Sequence, residues 1–198
     1  MTKPSEQEVL KRLRSAESSY YYALNILKGR FEKGESAISK DAEYSYYYAR
    51  FVLKGRFEKG ENAISKDADY SCSYARYVLK GKFEKGEDII SKSAYYSYTY
   101  ARYVLKDRFK KGENIISKDA CYSYLYARDV LEGRFEKGED VISKSVKYSY
   151  LYKENIYDAQ KELEIKLETE QIKLEKEKKE LEKLKIEFEK SDLAELLG

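Results

Sequence analysis

A repeat with a period of 26 residues fills most of this chain and limits what it can fold into. Equivalent phenylalanines show the period, at Phe31, Phe57, Phe83, Phe109 and Phe135. A glycine follows each of them three residues later, and an isoleucine follows that glycine after four more. Self-similarity at a fixed period of a few tens of residues is typical of repeat architectures. The sequence therefore predicts a tandem array rather than a conventional globular domain.

Each repeat carries signals for two helices. The first helix follows a position that holds only Asp or Ser, whose side-chain oxygens cap helix N-termini. In the second copy we predict this helix over residues 42–54, with Gly55 ending it at the C′ position. One copy departs from this pattern and has Asp107 in place of the glycine. A shorter helix is predicted over residues 57–64, in which Gly60 lets a neighbouring helix approach closely.

These elements predict an all-α solenoid of two-helix, 26-residue repeats over residues 15–155. Residues 1–14 are predicted to form an N-terminal cap helix, because Ser5 and Glu8 match a capping box. Residues 156–198 hold no proline and no glycine before the last residue, and they predict one long charged helix. Its leucines follow a coiled-coil spacing that Glu170 and Glu177 interrupt. We expect this helix to form a weak homodimer or to lie along a partner.

The composition excludes several kinds of site. The chain has no histidine, and its two cysteines, Cys72 and Cys121, are 49 residues apart. Triads and zinc sites that need imidazole or paired thiols are therefore excluded. Most carboxylates recur at equivalent positions of the repeats, which assigns them to the scaffold rather than to a catalytic pair. We predict no enzymatic activity, no metal and no cofactor.

Charge and hydropathy narrow the class of protein further. The formal net charge is only +3, which is not the excess typical of a nucleic-acid binder. No run approaches the roughly 20 apolar residues that span a bilayer. The first residues lack the apolar core of a secretory signal. We expect a cytoplasmic protein that has no membrane partner.

Positions that vary between copies mark a candidate ligand surface. Positions 43, 47 and 51 of the first helix, with their equivalents, form one line that we expect to be exposed. We call this line the variable stripe, and Thr99 falls on it. The invariant tyrosines, such as Tyr44 and Tyr48, are instead predicted to pack in the core. Within the variable stripe, the candidate ligand-binding residues are Tyr47, Phe51, Tyr77, Tyr95, Tyr103, Leu125 and Lys147.

Two series of basic residues recur with the repeat. The first arginine ladder consists of Arg50, Arg76, Arg102 and Arg128. The second basic ladder consists of Arg30, Arg56, Lys82, Arg108 and Arg134. With the tyrosines between them, such ladders could bind a phosphate backbone or an acidic partner. We favour pairing with glutamates of the repeat, such as Glu58 and Glu61, because each copy carries matching acids.

Residues 48–57 read Tyr-Ala-Arg-Phe-Val-Leu-Lys-Gly-Arg-Phe, and residues 126–135 read Tyr-Ala-Arg-Asp-Val-Leu-Glu-Gly-Arg-Phe. This segment resembles the core of short α-helical tandem repeats found in phage and bacterial proteins, Tyr-Ala-Arg-Asp-Val-Leu-Lys-Gly-Arg-Phe. The resemblance covers residues 15–152 and implies an all-α repeat array. Because many hosts of such repeats are viral, it also implies a phage-encoded inhibitor of host defence, similar to an anti-CRISPR protein.

Two functional hypotheses follow from the residues. The first is a non-enzymatic scaffold that binds another macromolecule, most simply a protein, through the variable stripe and the C-terminal helix. The alternative is a binder of RNA or another single-stranded nucleic acid that uses the arginine ladder and the tyrosines. A salt titration separates them, because phosphate contacts make affinity fall steeply with salt.

Overall fold

The computed structural model describes residues 13–197, with the side chains of residues 13–158 and 160–186. Within residues 13–197, all regular secondary structure is helical and none of it is β-strand. The predicted all-α class is therefore confirmed. The predicted N-terminal capping box, formed by Ser5 and Glu8, lies outside the described residues.

The first helix of each repeat begins as an α-helix and ends as a π-helix. Asp41 caps the second copy by accepting a hydrogen bond from the Tyr44 backbone N–H at 3.0 Å, as predicted. The π-helical halves were not predicted. The helices are α1 (Ala16–Tyr21, then Tyr22–Leu27), α3 (Ala42–Tyr47, then Tyr48–Leu53), α5 (Ala68–Tyr74, then Ala75–Leu79), α7 (Ala94–Tyr100, then Ala101–Leu105) and α9 (Ala120–Tyr126, then Ala127–Leu131).

The second helix of each repeat is shorter and often begins with a 3₁₀ turn. These helices are α2 (Glu32–Gly34, then Glu35–Ile38), α4 (Glu58–Gly60, then Glu61–Ile64), α6 (Glu84–Ile90), α8 (Lys110–Gly112, then Glu113–Ile116) and α10 (Glu136–Ser143). A further α-helix, α11, spans Val146–Tyr152. The long helices pack against one another in chain order, and each also packs against the short helix that follows it.

Gly60 is where α4 comes closest to α3. A Cβ atom added at Gly60 would lie 2.6 Å from the Ser45 Cβ on α3 and 2.5 Å from the Phe57 ring. Ser45 is itself held in place, because its hydroxyl donates a hydrogen bond to the Ile38 carbonyl oxygen at 2.8 Å. The predicted role of Gly60 in close helix approach is confirmed.

The glycine that follows each long helix does not have the predicted role. Lys54, not Gly55, adopts the left-handed conformation, with φ at 53°, and Gly55 has no positive φ. The backbone N–H groups of Lys54 and Gly55 both bond to the Ala49 carbonyl oxygen, which closes the π-helical end. Since the left-handed residue comes one position earlier, the glycine position accepts other residues. This explains Asp107, which occupies it in one copy.

The core consists of invariant aromatic, aliphatic and small side chains between the helices. Tyr48, Ala49 and Ile64 have no exposed surface, and their equivalents in the other central repeats are also buried. The Tyr48 ring packs edge-on against Phe57, with centroids 5.1 Å apart. The prediction that Tyr48 belongs to the core is confirmed, whereas Tyr44 is only half-buried.

Backbone contacts divide the chain into two units, Met1–Tyr152 and Lys153–Gly198. The second unit begins with a π-helical segment, Lys153–Tyr157, and continues as a single helix, α12, over Asp158–Leu197. A long C-terminal helix is therefore present. Its described leucine and isoleucine side chains are exposed.

Candidate functional site

The arginines of the second basic ladder belong to the scaffold. Arg56 Nε lies 2.6 Å from Glu61 Oε1, and the Glu61 side chain is completely buried. Lys85, from the next repeat, places its Nζ 3.0 Å from Glu61 Oε2. The same pairing, by an arginine of its own repeat and a lysine of the next, holds the buried carboxylates of Glu35 and Glu113. Ion pairing within the scaffold, as the sequence favoured, thus uses these cations.

A tyrosine completes each of these buried carboxylate sites. The Tyr74 hydroxyl accepts a hydrogen bond from the Phe57 backbone N–H at 2.9 Å and donates one to Glu61 at 3.4 Å. Burial raises the pKa of Tyr74 to about 12. Burial also acts to raise the pKa of Glu61, but hydrogen bonds from Arg56 and Lys85 outweigh it and hold that pKa below its ordinary value. At neutral pH Glu61 is therefore ionised, and its ion pairs with Arg56 and Lys85 link consecutive repeats.

The predicted pairing with glutamates is wrong for the first arginine ladder in the described part of the chain, where this ladder forms a stack with aromatic rings of the variable stripe. The Arg50 Cζ lies 5.0 Å from the Phe51 ring centroid and 4.3 Å from that of Tyr77. The next guanidinium, of Arg76, lies 5.0 Å from the Tyr77 centroid and 4.1 Å from that of Tyr103. These distances lie within the range of cation–π attraction. We call the following set the arginine–aromatic stack: Arg50, Phe51, Arg76, Tyr77, Arg102 and Tyr103.

The stack crosses α3, α5 and α7 and is open to solvent. Phe51, Tyr77 and Tyr103 are 45%, 43% and 41% exposed. Each ring is therefore held by a guanidinium group while it still offers an edge to a partner. Because the rings recur at equivalent positions of consecutive repeats, the exposed surface is continuous along the array.

Asp129 closes the stack at α9. The Arg128 Nε lies 2.6 Å from Asp129 Oδ1, and Arg102 also pairs with this carboxylate. Asp129 occupies the position that Tyr77 and Tyr103 hold in their repeats, so a carboxylate replaces the ring. Burial acts to raise the pKa of Asp129, but hydrogen bonds from Arg128 and Tyr98 outweigh it and lower that pKa. Arg102 and Arg128 therefore both form ion pairs with Asp129 within the chain.

Arg76 differs from the other arginines of the first ladder. Arg50, Arg102 and Arg128 each donate a hydrogen bond to the tyrosine hydroxyl four residues earlier. The position four residues before Arg76 holds Cys72, a buried thiol whose pKa burial raises to about 12. Within the described residues, the Arg76 guanidinium contacts the two flanking rings and has no hydrogen-bond or ion-pair partner.

The remaining predicted ligand residues lie outside the stack. Tyr47 is half-buried, and its ring lies 6.0 Å from that of Tyr20 and 6.0 Å from that of Phe51, at the border of the stack. Leu125 is half-buried, Tyr95 is exposed with the Tyr122 ring 5.9 Å away, and Lys147 is exposed over the Tyr148 ring at 5.2 Å.

The expectation that the whole variable stripe is exposed is therefore wrong. Thr99, at the central position of the stripe in its repeat, is only 9% exposed. After the first copy, the other central positions of the stripe are half-buried, whereas the rings at its C-terminal position, and Tyr95 at its N-terminal position, are exposed. The structure brings Phe51, Tyr77 and Tyr103 together and leaves Tyr95 apart from their stack.

Comparison with known proteins gives no relative for this chain. No family model, no curated protein and no solved structure matches it. In the part of the chain that the structure describes, no cluster of acidic and thiol side chains could hold a metal ion. None of the described helices is long and apolar enough to cross a membrane.

Proposed function

We propose that this chain is a non-enzymatic α-solenoid that binds an acidic face of another protein through the arginine–aromatic stack. The observation that carries the proposal is Arg76, a half-buried guanidinium without a hydrogen-bond partner among the described residues, placed between two exposed tyrosine rings. The helix pairs that pack one after another support the solenoid arrangement.

The chemistry of Arg76 suggests the chemistry of the partner. A guanidinium offers five N–H donors in a planar fork, which fits a carboxylate with two parallel hydrogen bonds. The rings of Tyr77 and Tyr103 hold that fork in place and shield it from part of the solvent. Arginine and tyrosine are also the residues most enriched among those that dominate protein interfaces. A partner that presents Asp or Glu between apolar side chains would therefore fit this surface.

The same geometry makes a single-stranded nucleic acid the weaker candidate. A base would need an open ring face, but the rings of Tyr77 and Tyr103 each contact two guanidinium groups. A second row of phosphate contacts would need the second basic ladder, whose arginines pair with glutamates. The narrower role, a phage-encoded inhibitor of host defence acting in the host cytoplasm, rests on the sequence resemblance.

The experiment is affinity capture from bacterial lysate, with and without nuclease, followed by titration of the purified partner. Arg76→Gln removes the unpaired guanidinium charge, and we expect it to weaken binding by about 2 kcal/mol, roughly thirtyfold. The combined Tyr77→Ala and Tyr103→Ala change should weaken binding at least as much. Tyr150→Ala is the control, since it removes an exposed tyrosine that lies outside the stack and the variable stripe.

Thermal melting of each variant separates loss of binding from loss of fold. A partner whose affinity is the same for Arg76→Gln, the double tyrosine variant and the natural chain would contradict the proposal. Capture that nuclease abolishes, together with a steep fall of affinity with salt, would instead favour the nucleic-acid alternative.

A further inference from the structure

The helix α12 carries a row of leucines that nothing in the described part of the chain covers. Its members are between 50% and 58% exposed, and they are Leu163, Leu167, Leu174, Leu181 and Leu184. The row extends over about 32 Å at 1.5 Å per residue. Their spacing places them at the a and d positions of heptads, where two-stranded coiled coils bury their apolar side chains. Glu170 and Glu177 occupy the two intervening d positions.

We propose that two copies of this chain pair through α12 as an antiparallel coiled coil centred between Glu175 and Lys176. In this register Leu167 lies opposite Leu184 of the second copy. Each interrupting glutamate then lies opposite a leucine, so that no two glutamates meet in the core. A seam of this kind associates weakly, because a charged group at a core position reduces stability while it specifies the register.

The charges that flank the seam select this register. Lys173 lies beside Glu180 of the second copy, and Glu164 lies beside Lys185 of the second copy. Since the dimer is symmetric, each of these contacts occurs twice. Opposite charges at such flanking positions determine the partner and the orientation in coiled coils.

Other registers bring like charges together. A parallel dimer in register stacks Glu170 on Glu170 and Glu177 on Glu177, and it places Lys173 beside Lys178 of the second copy. Shifting the antiparallel pair by one heptad sets either Lys173 or Glu180 beside its own counterpart. The exposed isoleucines at positions 165, 172 and 186 form a second row, but it has at most one residue per heptad and no continuous seam.

Sedimentation equilibrium of the whole chain and of three variants tests the proposal. Lys173→Glu turns two attractive contacts into repulsive ones, and we expect it to raise the dimer dissociation constant roughly tenfold or more. Adding Glu180→Lys to that variant restores both contacts with reversed sign and should restore the affinity. Lys179→Glu is the matched control, because it makes the same charge change on the opposite face of the helix and should leave the affinity unchanged.

Circular dichroism distinguishes a broken interface from a broken helix. Lys173 and Lys179 each have a glutamate four residues away on the same helix, so their reversal should disturb helicity to a similar extent. A natural chain that stays monomeric at the highest soluble concentration would overturn the proposal. A Lys173→Glu variant that dimerises more tightly would also overturn it, because that change relieves repulsion only in the parallel arrangement.

Discussion

Replacing Gly60 by alanine tests the packing between α3 and α4 most directly. The added Cβ would lie 2.6 Å from the Ser45 Cβ and 2.5 Å from the Phe57 ring, where ordinary carbon contacts need about 3.5 Å or more. Ser45 Cβ is attached to the backbone and cannot rotate away, so the two helices must separate by about 1 Å. Overpacking of this kind costs about 3 kcal/mol at the upper end of its range, and alanine's better helix propensity offsets about 1 kcal/mol.

We therefore expect Gly60→Ala to lower the free energy of unfolding by about 2 kcal/mol and the Tm by about 4–8 °C. Thermal melting followed by circular dichroism measures this. Gly55→Ala is the control, because the added Cβ would meet only the Leu53 carbonyl oxygen at 3.8 Å and the backbone needs no positive φ. Its effect should stay within about 0.5 kcal/mol. Equal shifts in the two variants would refute the close-approach argument.

Four further predictions concern stability. Ala101→Leu should lower the free energy of unfolding by about 1–3 kcal/mol, measured by thermal melting, because Ala101 is fully buried. Thr99→Lys should lower it by more than about 1 kcal/mol, because Thr99 is almost fully buried and a lysine there would lose its hydration. In an acid titration, the contribution of ionised Glu61 to the free energy of unfolding should be fully present above its ordinary pKa of 4.5. This contribution should be lost as pH falls through the lowered pKa of Glu61 in the folded protein. Glu61→Gln should make the loss of stability in acid smaller. In an alkaline titration, the contribution of neutral Tyr74 to the free energy of unfolding should be present below pH 10. It should be lost as pH rises towards the pKa of about 12 that Tyr74 has in the folded protein. Tyr74→Phe should reduce this loss.

The fold could be predicted from the sequence because each local signal occurs in several copies of the repeat. The period, the Asp or Ser caps and the buried glycine at position 60 each recur, so a chance match in one copy does not mislead. The helix ends could not be predicted equally well. Glycine usually supplies the left-handed residue that ends a helix, whereas the π-helical turn shifts this conformation to Lys54. A helical wheel at 100° per residue also misplaces side chains in a π-helical segment, which has more residues per turn.

The candidate site was only partly predictable for a different reason. Sequence periodicity shows which residues share a face, so it places Phe51, Tyr77 and Tyr103 together. It does not show which arginine finds a partner from another repeat, and Asp129 was therefore missed as the partner of Arg102. The sequence does indicate that Arg76 lacks a tyrosine partner. Four residues before Arg76 it has Cys72, where the other copies have a tyrosine.

The two-sided pairing of the buried glutamates has a consequence for how such an array changes over generations. Glu35 is completed by Lys59 of the following repeat, and Glu61 by Lys85 of the repeat after that. If a whole period were deleted, Lys85 would take the place of Lys59 opposite Glu35, and the junction would be chemically the same as before. Gain or loss of a whole period can therefore lengthen or shorten the protein in steps of 26 residues without leaving these buried carboxylates unmatched.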